Sequence, residues 1–297
     1  MTQIDERPAA PASHGRRSAP LGLVAVRATI DTATRVSPYV GGRLALELWR
    51  RPGGPGVVRP DEQAVHDAAH PSYVEHRGRV ATYAWGDGER PVLLVHGWGA
   101  RASRFATIVT ALLERGYSPV SYDAWAHGAT PGPVRTILDH QVVIDRLAEQ
   151  HGPFEAVVAH SFGVPVSLYA VREGLAADRV VAISGMGDFG YLVDVFCAGL
   201  GVREPVNAAL RRAIERTYFA GDTGIWERFS AGPLPGTEVL VVHDADDAVV
   251  ARRQADVVLE ALDGSATLLA TTGLGHSRIL GDPAVVGAAV DFLAGGS

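Results

Sequence analysis

From residue 73 onward the apolar positions fall into short runs separated by amphipathic stretches. Segments 73–78 and 80–85 alternate apolar with polar residues and read as a hairpin, and Gly86-Asp87-Gly88 turns the chain into the apolar run Pro91-Val92-Leu93-Leu94-Val95. Apolar strands at 120–122, 154–159 and 180–184 then alternate with helical stretches at 105–114, 136–150 and 162–173, and further apolar runs follow at 239–242 and 268–270. Strands apolar on both faces belong in a parallel sheet with helices on each side. The pattern therefore predicts an α/β fold with a mostly parallel, doubly wound sheet.

The interval 185–237 separates two of these strands and is too long for a plain loop. It holds two predicted helices, 191–200 and 204–218, and reads as a small helical lid. Phe189, Tyr191, Phe196, Tyr218, Phe219, Trp226 and Phe229 make it aromatic, either as an apolar wall for an acyl or aryl group or as packing against the body. At the other end, residues 1–20 are rich in Pro, Ala, Ser and Arg without apolar periodicity, which predicts a disordered tail. Residues 21–60 form an N-terminal helical segment and linker. Leu44, Leu46, Leu48 and Trp49 among Arg43, Arg50 and Arg51 predict a short basic amphipathic helix at 39–51, expected to pack on the body, although a membrane surface also suits such a helix. The Pro- and Gly-rich stretch 51–56 ends it, and 61–297 is expected to be one domain that includes the lid.

Composition narrows the function classes. A net charge of −6 over 297 residues, with acids and bases mixed, gives no basic stripe for nucleic acid. No run approaches the ~20 apolar residues of an integral membrane span. Arg16-Arg17 precedes an apolar stretch too short for a secretory signal, and the one cysteine, Cys197, suits a reducing compartment, so a cytoplasmic location is expected. Cys197 itself reads as a small buried hydrophobe. His66 and His70 have the spacing of a helical metal pair, but Pro71 stops any helix there and the H-E-x-x-H glutamate is missing. No phosphate-cradling or dinucleotide loop follows the first strands. No metal or cofactor is expected, and the sequence does not determine the oligomeric state.

Candidate chemistry concentrates where strands end. Ala159-His160-Ser161-Phe162-Gly163 stands between a strand and a helix and reads as a nucleophile elbow, with Ala159 where the G-x-S-x-G pattern has its first glycine. A serine needs a histidine to take its proton, and the histidine needs a carboxylate to orient it. Downstream, His243-Asp244-Ala245-Asp246-Asp247 follows one strand and Gly275-His276-Ser277-Arg278 follows another, in the order serine, acid, histidine.

With these motifs the chain resembles the α/β-hydrolase superfamily, in the manner of bacterial serine esterases and lipases. His96-Gly97-Trp98-Gly99 is similar to its oxyanion loop and Asp123-Ala124-Trp125-Ala126-His127-Gly128 to its D-x-x-x-H-G turn, and the likeness runs over 73–293. The resemblance implies Ser161 as nucleophile, His276 as general base and acid, Asp247 as orienting acid, and the backbone N–H groups of Trp98 and Phe162 as the oxyanion hole. Asp247 fits the family's H-G-x-x-D spacing after His243, although Asp244 replaces the pattern's glycine; Asp246 and Asp188 stay open as alternatives. His160, His96 and His127 read as structural. The implied activity is cofactor-independent cleavage of a carboxylic ester, thioester or amide on a small acyl substrate. Acyl transfer and peptidase chemistry use the same triad, and a non-catalytic binding protein on this fold is the alternative from another class.

Overall fold

The computed structural model describes residues 21–54 and 56–295; the expected tail at 1–20 lies outside them. Two helices come first, α1 (Leu21–Val36) and α2 (Pro38–Trp49), then the short α3 (Gln63–Asp67). The sheet strands are β1 (His70–Glu75), β2 (Arg79–Ala84), β3 (Pro91–Val95), β4 (Ser118–Tyr122), β5 (Ala156–His160), β6 (Arg179–Ile183), β7 (Glu238–Asp244) and β8 (Ala266–Thr271). Between and after them run α4 (Ala106–Glu114), α5 (Ile137–His151), α6 (Gly163–Arg172), α7 (Tyr191–Leu200), α8 (Glu204–Tyr218), α9 (Ile225–Arg228), α10 (Arg253–Ala261), α11 (Gly275–Arg278) and α12 (Pro283–Leu293).

The eight strands form one sheet in the order β1-β2-β4-β3-β5-β6-β7-β8. β1 pairs with β2 and β2 with β4 antiparallel, and every later pairing is parallel. Alternate side chains of each central strand enter opposite cores, as pleating requires. Leu93, Val95, Val157 and Val241 join one cluster, while Val92, Leu94, Val158 and Val242 join the other. Both faces are covered, which is why these strands are apolar throughout. His70 opens β1, so it shares no helix with His66; Pro71 is tolerated there because β1 is an edge strand.

The N-terminal helices do more than rest on the sheet. The buried face of α2 (Gly41, Gly42, Ala45 and Leu46) lies against α8 of the insertion, while Trp49 at its end meets Trp98 of the body, so the helix packs on both. Gly42 makes this possible: a β-carbon there would collide with the carbonyl oxygen of Ala209. Ser37 caps α2 and Pro38 occupies its first turn. α1, α2, α7 and α8 thus build a helical layer over the C-terminal end of the parallel strands, where open α/β sheets carry their sites.

Candidate active site

β5 stops at His160 and the chain turns directly into α6, leaving Ser161 at φ 56°. A side chain held in the left-handed region costs about 1–3 kcal/mol and persists only where neighbours over-determine it. Here Ser161 N–H donates to Ile183 O at 2.9 Å and Ser161 O accepts from Val164 N–H at 3.0 Å. Gly163 answers the small-residue requirement, since a β-carbon would strike the carbonyl oxygen of Val95. Ala159 is fully buried in the core, so its extra methyl is accommodated.

The structure brings three sequence-predicted side chains together. His276 Nε2 lies 3.0 Å from Ser161 Oγ, and His276 Nδ1 lies 2.8 Å from Asp247 Oδ2. The carboxylate cannot donate, so Nδ1 carries the proton and Nε2 is free to accept from the serine. Asp247 Oδ1 is held by the N–H groups of Val249 and Val250 at 2.8 and 2.9 Å. Burial alone would raise its pKa, but the bond from His276 and these two backbone donors outweigh it and hold the carboxyl down to about 2. Neither alternative carboxylate reaches the histidine: Asp246 accepts from Gly273 N–H at 2.8 Å, and Asp188 accepts from Gly190 N–H at 2.7 Å. Asp244, which departs from the family's glycine, is buried and accepts from Thr271 Oγ1 and Leu274 N–H at 2.7 and 3.1 Å, tying the acid loop to the histidine loop.

Gly97 presses on the elbow, where a β-carbon would come within 2.6 Å of Ser161 Cβ, so the Gly97-Trp98 peptide lies beside the serine. The N–H groups of Trp98 and Phe162 have no acceptor among the described residues. Phe162 also stands at the positive end of α6. A reciprocal brace holds these loops. His96 Nδ1–H donates to Gly97 O and its Nε2 accepts from Ala124 N–H; His127 Nδ1–H donates to Trp125 O and its Nε2 accepts from Gly99 N–H. Each imidazole must stay neutral to accept, and burial pushes His96 down to about 4 and lowers His127. His160 Nε2–H donates to His276 O at 2.8 Å, so the residue preceding the serine holds the backbone of the distant histidine.

Beside the elbow are two small cavities of about 30 and 10 Å³. The larger is walled by Trp49 of α2, by Phe189, Tyr218, Phe219 and Trp226 of the insertion, and by Trp98 and Phe162. The ring centroids of Trp49 and Trp98 are 5.6 Å apart, and those of Trp98 and Phe162 6.2 Å. The insertion's aromatics divide their work: Phe229 packs on Tyr169 of α6 at 4.9 Å, and the Tyr191 hydroxyl accepts from Ala251 N–H, away from the cavity. Trp49 and Arg135 were not singled out as site residues from the sequence. Trp49 stands in the amphipathic helix, but only a contact made across the fold puts it next to Trp98. Cys197 is buried and its thiol pushed up to about 11 by that burial, as expected of a packing residue.

A family model described as the alpha/beta hydrolase family matches residues 92–286. The chain is 28% identical over 163 residues to the non-heme chloroperoxidase CPO-A1 of Kitasatospora aureofaciens, a match covering 52% of this chain and spanning 57% of that relative's length. In three dimensions it is similar to the monoacylglycerol lipase of Paleococcus ferrophilus, with a TM-score of 0.56 and 20% identity over 73% of this chain and 99% of the lipase. Mouse alpha/beta hydrolase domain-containing protein 10 gives a TM-score of 0.58 at 14% identity over 76% and 98% of the two chains. Such identities speak for the fold alone. The family match runs from β3 into α12 and takes in the elbow, the acid loop and the histidine loop, and the chain belongs to the alpha/beta hydrolase family.

Proposed function

We propose that the protein is a cofactor-independent serine hydrolase that cleaves a carboxylic ester, thioester or amide through an acyl-enzyme. The observation that carries this reading is His276, whose two ring nitrogens bridge Ser161 Oγ and Asp247 Oδ2 at 3.0 and 2.8 Å. Ser161 Oγ attacks the carbonyl carbon as its proton passes to His276 Nε2, and Asp247 stabilises the imidazolium that forms. The N–H groups of Trp98 and Phe162 receive the negative oxygen; both are main-chain donors held by the fold, so they need little reorganisation as charge develops. Collapse expels the alcohol, thiol or amine, which takes the proton from His276. Water then gives a proton to His276 as it attacks the acyl carbon, and the acid and free Ser161 are released.

The acyl-enzyme passes to whichever nucleophile reaches it. The chloroperoxidase relative is the reason to include hydrogen peroxide beside water among the acceptors tested. The aromatic walls of the cavity favour an acyl or aryl group with an apolar body, and a non-catalytic binder would have no use for a complete proton relay.

The test is hydrolysis of p-nitrophenyl esters from acetate to octanoate, with fluorophosphonate labelling, on wild type and Ser161→Ala. Labelling and turnover are expected in the wild type and absent together in the variant. A folded wild type that neither labels nor turns over any ester would move the protein to the binding class.

A further inference from the structure

The two cavities beside the elbow share four lining residues: Trp98, Phe162, Val134 and Arg135. Two of these are the proposed oxyanion donors. A substrate extending from Ser161 into either cavity therefore passes Arg135, which precedes Thr136, the N-cap of α5.

The state of this arginine is unusual for the protein. Among the described residues, each other arginine that is not exposed is tied down: Arg50 to Glu47, Arg101 to Asp123, Arg104 to Glu62, Arg179 to Glu238, Arg211 to Asp194, Arg252 to Asp256, and Arg172 to the carbonyls of Arg228 and Ser230. Arg135 is half-buried and makes no hydrogen bond or ion pair among the described residues, and its Nε is a buried donor with no acceptor. The nearby carboxylate of Asp139 is already committed, to Thr136, His76 and Arg77. No acidic side chain lines either cavity. His96, His127 and His140 line the smaller one, and they add no negative charge. Other buried donors also lack a partner, Trp125 Nε1 beside the smaller cavity and Arg101 Nε among them, but Arg101 has Asp123 to balance its charge and Arg135 has no such carboxylate. A guanidinium beside aromatic walls is suited to a carboxylate, which it grips through two parallel N–H bonds.

We propose that Arg135 is the anion-binding residue of the substrate pocket, and that the natural substrate carries a carboxylate on the chain that enters the aromatic cavity. The scissile bond is then one carboxyl function of a molecule with a second, free one, such as a monoester of a dicarboxylic acid. This inference rests on the serine-hydrolase reading for its chemistry, but its binding component is separable.

The experiment compares two p-nitrophenyl esters of the same chain length, the hexanoate and the monoester of adipic acid, on wild type, Arg135→Gln and Arg135→Lys. The ratio of kcat/KM for the anionic over the neutral ester is the readout. It is expected to be at least about tenfold in the wild type, to fall toward one in Arg135→Gln, and to be partly kept by Arg135→Lys, because lysine retains charge but not the bidentate fork. The wild-type preference should shrink between low and high salt. In parallel, calorimetric titration of the monoamide of adipic acid, an anion, and of hexanamide, its neutral counterpart, into Ser161→Ala, with and without Arg135→Gln, reads binding without turnover and should show the anionic amide tighter by a margin that Arg135→Gln removes. Turnover of both esters with no anionic preference would overturn the inference and leave the hydrolase reading standing. Failure of labelling and turnover together would sink the hydrolase reading, and the titration would then decide Arg135 by itself, with equal binding of the anionic and the neutral amide overturning its role.

Discussion

Acid should unfold this protein at a pH well above that of ordinary carboxylate titration, because five buried histidines hold their pKa below the ordinary value, His96, His140 and His160 by the widest margin. His96, His140 and His160 are each 5% exposed. Burial is the largest cause in every case, and it places His96 at about 4 and His140 and His160 at about 3. Their bonding agrees: His96 Nε2 accepts from Ala124 N–H, His140 Nδ1 pairs with the Tyr122 hydroxyl at 2.7 Å, and His160 Nδ1 has no partner to compensate a charge. In the unfolded chain a histidine titrates near ~6.5. Between that value and about 4 the unfolded state holds a proton that the native state refuses, so stability rises with pH there and is lost as pH falls. Above about 7 the contribution is constant.

Each such group changes stability by about 1.4 kcal/mol per pH unit inside the window, so three together give about 4 kcal/mol per unit. At pH 5.5 the loss is about 4 kcal/mol, and at pH 4.5 about 8, against a total stability on the order of 5–15 kcal/mol for a domain. Urea unfolding followed by circular dichroism and tryptophan fluorescence at pH 7.5, 6.5, 5.5 and 5.0 measures this directly. His140→Phe should remove at most about one third of the slope, and less as far as His127 and His243, also lowered by burial, share in it. Stability that stays level from pH 7.5 to 5.0 would refute the assignment of these rings as neutral and buried. So would a His140→Phe variant that keeps the full slope.

Two shorter predictions concern the site. Asp247→Asn should leave the fold intact and lower kcat by about 10³–10⁴-fold, the cost of an imidazole no longer held in the right tautomer; a loss under tenfold in the ester assay would show that the acid is elsewhere. Trp49→Ala removes a half-buried wall of the 30 Å³ cavity, so it should cost about 1–3 kcal/mol in denaturant stability and move the p-nitrophenyl ester optimum to longer acyl chains. An unchanged chain-length profile would mean that α2 has no part in the pocket.

The parts of the fold that the sequence discloses are those that local chemistry imposes. A serine between a strand and a helix requires Gly163 beside Val95, so the elbow is visible in five residues. β7 and β8 each lead into a segment that carries one of the paired side chains, so order marked the acid loop and His276, while the choice of Asp247 over Asp246 and Asp188 came from the family resemblance. What stayed hidden depends on pairs far apart in the chain. Gly42 looks like a poor helix residue until the carbonyl of Ala209 arrives against it, and only then does Trp49 come to lie on Trp98. Arg135 resembles any polar residue before a helix cap, because its distinguishing property is an absence of partners, which no sequence pattern encodes.

The braces explain why the strained elbow can be sustained and why its supports are histidines. Ser161, Ala126 and Ser184 all have positive φ, at 56°, 64° and 47°; Ser161 and Ser184 directly follow β5 and β6, and Ala126 stands four residues past β4. Strain concentrated there must be offset by bonds that act on backbone, not only on side chains. His96 and His127 do this across the two loops, each accepting one N–H and donating to one carbonyl with a single rigid ring. A neutral imidazole is the side chain that offers a donor and an acceptor at a fixed separation on a planar body, with no net charge to disturb a developing oxyanion. A lysine would lack the acceptor and a carboxylate would lack the donor. The dependence on neutrality that gives the loops their geometry also exposes His96 and His127 to acid, so the loop braces and part of the acid lability have one physical origin.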